Sequence, residues 1–529
     1  MDPAACNSAA NDTHRPPPTT TAQVERRQQF RGVCAQLLRP GHLYAAFFVW
    51  ISTVGGRFLA PFLEHEGGPH GATAAESIGL CLALQSVVTT LLSSVGGAFA
   101  DACERRYPGK GRILVMAAGI SVGSLCCLLH ALHYVFSWAE SLVWHFGLQV
   151  VYAAASTLTI PVLDGVTIQF LNEHPDFTKE DYGRERLYGA VGWAVMHLIM
   201  APLLDWQGFG IVYPLVILST TGTLVTLYLY MQSNVQRQHM LGQQSGINRH
   251  HHHALQKRSS DIILADDSIM DDESNNVDKN CNTTDNLNNT TPRLPISTLC
   301  RLLVQSSYGV TFLIAFFTLS QGQAVVDSLV FIFFEFLGSS YTTMGLTVQL
   351  TVLFEIPIFQ IAPRLLERYG SGVLLLTAAA SYVIRAVGYS CVPKGHMVYI
   401  LLLEPLHGIT YACSQTAAVD TAARVMPMGY EATGQGLMGL VRGCGSMVGL
   451  ALGGAAMDHM GPRFMYRASA ALCGAGACLF AAAYAYEGPE PMVRKLVPQS
   501  DKDVVATKDE ERNVGMLEMT ETRSDEDTD

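Results

Sequence analysis

A group of polar residues in the first half of the chain has the chemistry of a polyol-binding site. The stretch Tyr182 to Val195 reads YGRERLYGAVGWAV, and an aspartate precedes it at position 164. A guanidinium offers forked donors, a carboxylate accepts hydrogen bonds from hydroxyls, and an indole packs against a pyranose ring. We therefore predict four substrate-binding residues: Asp164, Arg186, Trp193 and His197.

Each of these residues also has a simpler interpretation. Asp164 and Arg186 can be charges at the edge of an apolar segment, and His197 can be a hydrogen-bonded packing residue. We interpret Arg184 as a surface anchor that orients the segment, so only the second arginine of the stretch is assigned to the site.

A second polar group occurs in apolar stretches of the other half. Buried carboxylates beside an arginine and a histidine could carry a proton, and a fixed ion pair is the alternative. The residues that we assign to proton coupling are Glu355, Arg385, Glu404 and His407. Asp327 and Arg442 are predicted to form a separate structural charge pair.

The composition identifies the elements that must hold these side chains. Of the 529 residues, 49% are hydrophobic and only 15% are charged, and the mean hydropathy is +0.22. Soluble domains carry about 25% charged residues. Several apolar runs reach the roughly 20 residues needed to cross a bilayer as a helix. The sequence therefore predicts an all-α, multi-pass membrane protein.

Twelve spans can be drawn, in two groups of six. They cover residues 41–63, 76–99, 112–134, 138–163, 186–204, 209–231, 308–337, 341–362, 371–391, 397–423, 429–457 and 463–486. The domains that follow are a polar N-terminal tail (1–40), a six-helix bundle (41–231), a central loop (232–307), a second six-helix bundle (308–487) and an acidic tail (488–529). The loop and both tails are too polar to form a packed core, and we expect the central loop to be disordered.

Lysine and arginine residues alternate between the short loops. Three are concentrated at Arg105, Arg106 and Lys110, whereas residues 64–75 contain none. The positive-inside rule then makes both termini and the central loop cytoplasmic, in the plasma membrane or an endomembrane.

Other classes of protein are disfavoured. The 13 cysteines lack a CxxC spacing, so we predict neither a metal site nor a disulfide framework, and no cofactor. The four histidines at 250–253 are interpreted as part of the polar loop rather than as metal ligands. A net charge of −11 disfavours nucleic acid as a partner. No Walker-type loop and no HExxH motif occurs, which argues against ATP-driven transport and against an enzyme.

The two groups of spans resemble each other. Asp205 and Asp458 each follow a glycine, Gly192 and Gly445, by thirteen residues. The turns CERRYPGKG and LERYGSG occupy matching places after spans 2 and 8. Two matched six-helix halves are the layout of the major facilitator fold, in which the substrate site lies between the halves.

The stretch YGRERLYGAVGWAV closely resembles the start of helix 5 in lactose permease. Pro161-Val-Leu-Asp164 is similar to the Pro-x-x-Glu of that family, and YTTMG, Arg385-Ala-Val-Gly, Leu406-His407 and EATGQGLMG match its second half. FEIPIF and LHGITYA look more like the major-facilitator-associated proteins, which are related to nucleoside–proton symporters. The resemblance covers residues 41–487.

The resemblance implies roles for several positions. It implies that Asp164 and Arg186 pair and hold sugar hydroxyls while Trp193 stacks on the sugar. It also implies that Arg385 and His407 belong to the proton pathway. The family's proton-carrying glutamate is Thr410 here, so Glu404 or Glu355 would have to take the proton.

The sequence thus predicts a secondary transporter of a small hydrophilic solute, a sugar or a nucleoside, that works by alternating access as a monomer in the bilayer. Protons are the expected coupling ion. The alternative is a membrane receptor or scaffold of the same fold that does not transport.

Overall fold

The described part of the chain is a bundle of long helices. The computed structural model describes residues 39–66, 74–173, 181–234, 304, 306–426 and 431–488, and these contain no strand. In chain order the helices are α1 (Pro40–Gly55 and Leu59–Glu66), α2 (Ala75–Arg106), α3 (Gly111–Tyr134, with a 3-10 end), α4 (Leu142–Ser156 and Ile160–Glu173), α5 (Tyr182–Gln207), α6 (Phe209–Asn234), α7 (Ser307–Phe336), α8 and α9 (residues 341–369 and 371–391), α10 (Met397–Leu403 and Pro405–Val425), α11 (Glu431–Met460) and α12 (Pro462–Glu487).

These helices confirm the predicted twelve-span, two-half fold. Eleven helical stretches of the described residues are long and apolar enough to cross a membrane. One of them, Tyr341–Cys391, has 51 residues, and Gly370 within it has a φ of +79°. A positive φ ends a helix, and glycine adopts it without strain. The stretch is therefore two spans, which makes twelve. Most lie within a few residues of their predicted bounds, but α2, α4 and α8 run seven to ten residues further at their C-terminal ends, to Arg106, Glu173 and residue 369.

Three spans are interrupted inside the bundle. In α1 the helix stops at Gly55 and restarts at Leu59, and in α4 it stops at Ser156 and restarts at Ile160. In α10 the break follows Leu403, where Pro405 removes a backbone donor. Breaks at membrane depth occur where the chain is buried in protein or lines a cavity. Two of them carry charged residues of the site.

The predicted similarity between the halves is visible in their packing. A Cβ atom at Gly192 of α5 would lie 2.5 Å from the carbonyl oxygen of Ala45, and one at Gly445 of α11 would lie 2.7 Å from that of Phe317. Each glycine lets its helix approach the first helix of its own half. The halves meet where α2 packs on α11 and α5 packs on α8.

Most of the predicted polar segments lie outside the described residues. This applies to nearly all of the N-terminal tail, the central loop and the acidic tail. The expectation of a disordered, cytoplasmic central loop therefore stays a prediction.

Candidate functional site

The second half holds a buried ion pair with every polar atom engaged. Arg385 of α9 donates from Nη2 to Oε2 of Glu404 at 2.9 Å and from Nε to the hydroxyl of Tyr389, also at 2.9 Å. Tyr389 donates to the other oxygen of Glu404, and Thr351 of α8 donates to Oε2 at 2.9 Å. Arg385 and Glu404 are 1% and 0% exposed. A charge pair so deeply buried is stable only when its remaining hydrogen bonds are met, as they are here.

His407 joins this ion pair to the first half of the protein. Nη1 of Arg385 lies 2.5 Å from Nδ1 of His407, and Arg57 Nη2 and Asp327 Oδ1 lie 3.3 Å and 3.6 Å from its Nε2. Arginine can only donate, so the two ring nitrogens of His407 each face a guanidinium donor, and Asp327 lies beside Nε2. A continuous polar chain therefore crosses between the halves at the break in α1.

The predicted pair between Asp327 and Arg442 is not formed in the structure. Asp327 lies instead 3.6 Å from Arg57 of α1. The Asp327 side chain is 41% exposed, so it is accessible although Arg57 and His407 lie beside it. Arg442 packs its guanidinium over the ring of Phe316, with 5.4 Å between the guanidinium carbon and the ring centroid.

Glu355 of α8 lies in the same region but outside the ion pair. It is half-buried, and its electrostatic neighbours include Arg57, Asp327 and Arg186. No hydrogen bond to its carboxylate occurs within the described residues. Its backbone packs tightly against α10, where a Cβ at Gly408 would lie 2.7 Å from the Glu355 nitrogen. The backbone of Glu355 is thus held by packing, whereas its carboxylate makes no hydrogen bond within the described residues.

In the first half, Asp164 and Arg186 face the same space without forming an ion pair in the described contacts. Asp164 accepts a hydrogen bond from the hydroxyl of Tyr44 at 2.5 Å. Arg186 is exposed, and Asp164, Tyr182 and Tyr411 are among its electrostatic neighbours. Arg184 points away, with a side chain that is 78% exposed and an ion pair to Asp181. The two arginines of the YGRERLYGAVGWAV stretch therefore have different surroundings.

Trp193 and His197 are stacked, but only the indole is accessible. Their ring centroids are 4.6 Å apart, and Phe48 lies edge-on to the indole at 6.5 Å. His197 is 0% exposed; its Nδ1 lies 2.8 Å from the Trp193 carbonyl oxygen, and its Nε2 accepts from the backbone of Arg57 at 3.4 Å. Both ring nitrogens are committed to the protein. The packing alternative for His197 thus fits this geometry better than direct substrate contact.

Polar contacts close one end of the bundle between the two halves. The carboxylate of Asp205 at the end of α5 accepts from the backbone nitrogens of Tyr341 and Thr342, both at 2.8 Å. Asp458 at the end of α11 accepts from those of Ala75 and Glu76 at 3.1 and 2.6 Å. Each aspartate binds the positive N-terminus of a helix in the other half. We call this the closed end.

At the opposite end, where α1 begins and α12 ends, the part of the chain that the structure describes makes no comparable contacts. Within the described residues, the hydrogen bonds that join the halves lie at the closed end or near the middle of the spans. Two of these hydrogen bonds lie near the middle of the spans. Gln349 donates to the carbonyl oxygen of Ala194 at 2.6 Å, and Ser86 donates to the carbonyl oxygen of Gly443 at 3.4 Å. The charged residues between the halves are therefore reached from the end that carries the termini.

Sequence reasoning missed several members of the site. Arg57, Tyr44, Tyr389 and Tyr411 all contact or neighbour predicted residues. The sequence does contain an indication for Arg57: it is a lone arginine inside a predicted span, and it directly follows two glycines, Gly55 and Gly56. The tyrosines gave none, because apolar packing explains a tyrosine in a span equally well.

The family model of the MFS_1 like family matches residues 42–468. The chain belongs to the MFS_1 like family. It is accordingly an integral, multi-pass membrane transporter, and the proteins that share its family and fold are transporters rather than enzymes.

Solved structures show the same fold at low sequence identity. The nucleoside transporter NupG is 12% identical with a TM-score of 0.57, over 84% of this chain and 97% of that one. A POT family transporter in complex with a thioalcohol conjugated peptide is 12% identical with a TM-score of 0.57, over 84% and 95%. A bacterial homologue of the iron transporter ferroportin, in an inward-facing state, is 14% identical with a TM-score of 0.54, over 85% and 98%.

Proposed function

We propose that this MFS_1 like protein is a secondary active transporter that moves a small hydrophilic solute, a sugar or a nucleoside, by alternating access as a monomer. The observation that carries the proposal is a group of polar residues between two matched halves whose end-to-end contacts, among the described residues, lie at the closed end. Such halves can rock about the site, closing the open end as the closed end parts. The NupG neighbour makes a nucleoside a reasonable first candidate.

In this proposal Asp164, Arg186 and Trp193 bind the solute. They come from α4 and α5, and Arg186 and the indole remain accessible. The hydroxyl of Tyr44 already holds Asp164, and the carboxylate has further lone pairs that can accept from a solute hydroxyl. His197 positions the indole from behind rather than touching the solute.

Proton coupling, in the same proposal, divides between two glutamates. Glu404 is fully engaged with Arg385, Tyr389 and Thr351, so it serves as a fixed anchor. Glu355 has no such commitments and faces the same space as Arg186. We assign the exchangeable proton to Glu355, which takes over from the family glutamate that Thr410 replaces.

The loop charges support cytoplasmic termini, so the conformation described would be inward-facing. A cysteine introduced by Ser245→Cys in a cysteine-free background should resist an impermeant thiol reagent in intact cells. Labelling without permeabilisation would reverse the orientation.

Uptake into proteoliposomes tests the function directly. A panel of sugars and nucleosides is offered with and without an imposed pH gradient, and accumulation should require the gradient. Arg186→Lys keeps the charge but loses the fork, so apparent affinity should fall by about 10- to 100-fold. Arg184→Lys, on the exposed arginine, is the matched control and should behave as the parent protein does. No uptake of any solute would refute transport, and unchanged kinetics in Arg186→Lys would remove that residue from the site.

A further inference from the structure

Two arginines face the central space without a carboxylate partner. Within the described residues, neither Arg186 nor Arg442 forms an ion pair, although six other arginines do. The Nε atom of Arg442 is buried and has no hydrogen-bond partner. Buried donors are nearly always satisfied, and an orphaned one requires an explanation.

The two arginines come from opposite halves and converge. Arg186 belongs to α5 and Arg442 to α11, which are equivalent helices of the two halves. Tyr411 of α10 is an electrostatic neighbour of both arginines, and the electrostatic neighbours of Arg442 also include Asp327 and Arg186. The Tyr411 ring stacks on His407 at 6.2 Å and 3°, so this region adjoins the buried polar chain.

Two guanidinium groups that are electrostatic neighbours repel, and a shared anion would relieve that repulsion. Each offers a planar fork that matches a carboxylate or a phosphate. We propose that the solute carries an anionic group, a carboxylate or a phosphate monoester, which Arg186 and Arg442 bind between the halves. This inference rests on the proposed function and narrows the solute to acidic sugars or nucleotides.

The charges of the region fit this assignment. Four arginines (Arg57, Arg186, Arg385 and Arg442) face four carboxylates (Asp164, Asp327, Glu355 and Glu404), which balance when all are ionised. A proton on one carboxylate leaves one positive charge in excess. A carboxylate monoanion restores neutrality with one proton, and a phosphate monoester dianion would do so with two, so proton and anion would be bound together. A neutral solute would leave the excess charge uncompensated in the interior.

The test measures binding, so it does not depend on transport. Thermal unfolding of the purified protein in lipid nanodiscs is followed with matched probes: D-galactose against D-galacturonate and galactose 1-phosphate, and uridine against uridine 5′-monophosphate. We expect the acids to stabilise at concentrations about 10- to 100-fold lower than their neutral counterparts. Comparing the stabilisation by D-galacturonate with that by galactose 1-phosphate shows whether the site prefers a carboxylate or a phosphate.

Variants identify the arginines. Arg442→Gln should abolish the preference for the acids, Arg442→Lys should retain part of it, and Arg184→Gln, which removes the same charge from an exposed position, should retain all of it. Neutral probes that stabilise as well as the acids, or an acid preference that survives Arg442→Gln, would overturn the anion site. Acid binding without uptake would refute transport and leave the anion site standing, whereas uptake of neutral solutes alone would do the reverse.

Discussion

The two halves hold their charged residues in opposite ways. In the second half, Arg385 and Glu404 are buried and share hydrogen bonds with Tyr389 and Thr351. In the first half, Arg186 is exposed to the central space and has no ion-pair partner within the described residues. The second-half cluster is complete without a ligand, whereas the first-half site requires acceptors from elsewhere.

This difference assigns separate tasks to the halves. A completed cluster fixes the relative positions of α8, α9 and α10, which carry Thr351, Arg385 and Glu404. The first-half site has unpaired polar groups, so a ligand that pairs with them gains binding free energy. Arg57 joins the two regions, because it lies at the break in α1 and near both His407 and Asp327.

The largest expected effect comes from breaking the completed cluster. Glu404→Gln leaves a buried arginine unpaired and should lower the free energy of unfolding by about 3–5 kcal/mol. Uphill accumulation and solute exchange should fall together with it. Thermal unfolding and both uptake assays provide the measurement, and Glu367→Gln, on an exposed glutamate, is the control. A stable Glu404→Gln protein that loses accumulation alone would make Glu404 the proton carrier instead.

Glu355→Gln should separate the two activities that Glu404→Gln affects together. It fixes the neutral form of a carboxylate that accepts no described hydrogen bond, so the fold should be retained. Gradient-driven accumulation should disappear, while exchange, which needs no deprotonation, should persist. Proteoliposomes preloaded with solute measure exchange, and the same vesicles under a pH gradient measure accumulation. Accumulation that survives would show that the proton is carried elsewhere or is not used.

The sequence predicted the fold more completely than the site. Long apolar runs have few alternatives in a bilayer, so the twelve spans and the matched halves followed directly. The resemblance also selected Arg385 and His407, which the structure does bring together. The special role of Gly370 was not predicted, although the gap between the predicted spans 341–362 and 371–391 includes it.

Residue types did not predict which charges are partners. Asp327 and Arg442 were paired because both lie near mid-membrane, yet Arg57 from the other half is the neighbour of Asp327. Such a contact depends on how the halves meet, which no pattern within one helix encodes. Asp205 and Asp458 are a second example. The sequence showed their matched spacing from a glycine, but it did not predict that each binds the N-terminus of a helix in the other half.

A smaller effect is expected at the closed end. Asp205→Ala and Asp458→Ala should each remove an N-terminal cap, worth about 0.5–2 kcal/mol. Because the two aspartates bind different helices and share no hydrogen-bond partner, their effects should add in the double variant. Spin labels on either side of the closed end would report a larger open population by their distance distributions. Asp181→Ala, at the other end of α5, should not produce that shift; unchanged distances in the double variant would refute the closing role.

The smallest expected effect is at Trp193, and it tests whether the accessible first-half surface contacts a ring. Trp193→Phe keeps an aromatic face beside Phe48 but shortens it, so stacking worth about 0.5–1.5 kcal/mol should be reduced in part. Apparent affinity for D-galactose or uridine, or for their acids, should fall by at most about 10-fold, and that for acyclic galactitol should not change. The ability of each unlabelled solute to compete with the uptake of a labelled one measures these apparent affinities.

Trp206→Phe, on an exposed tryptophan of the same helix, is the control. Equal losses for cyclic and acyclic solutes would mean that Trp193 only packs the helix, and the solute-binding surface would then reduce to Asp164 and the arginines.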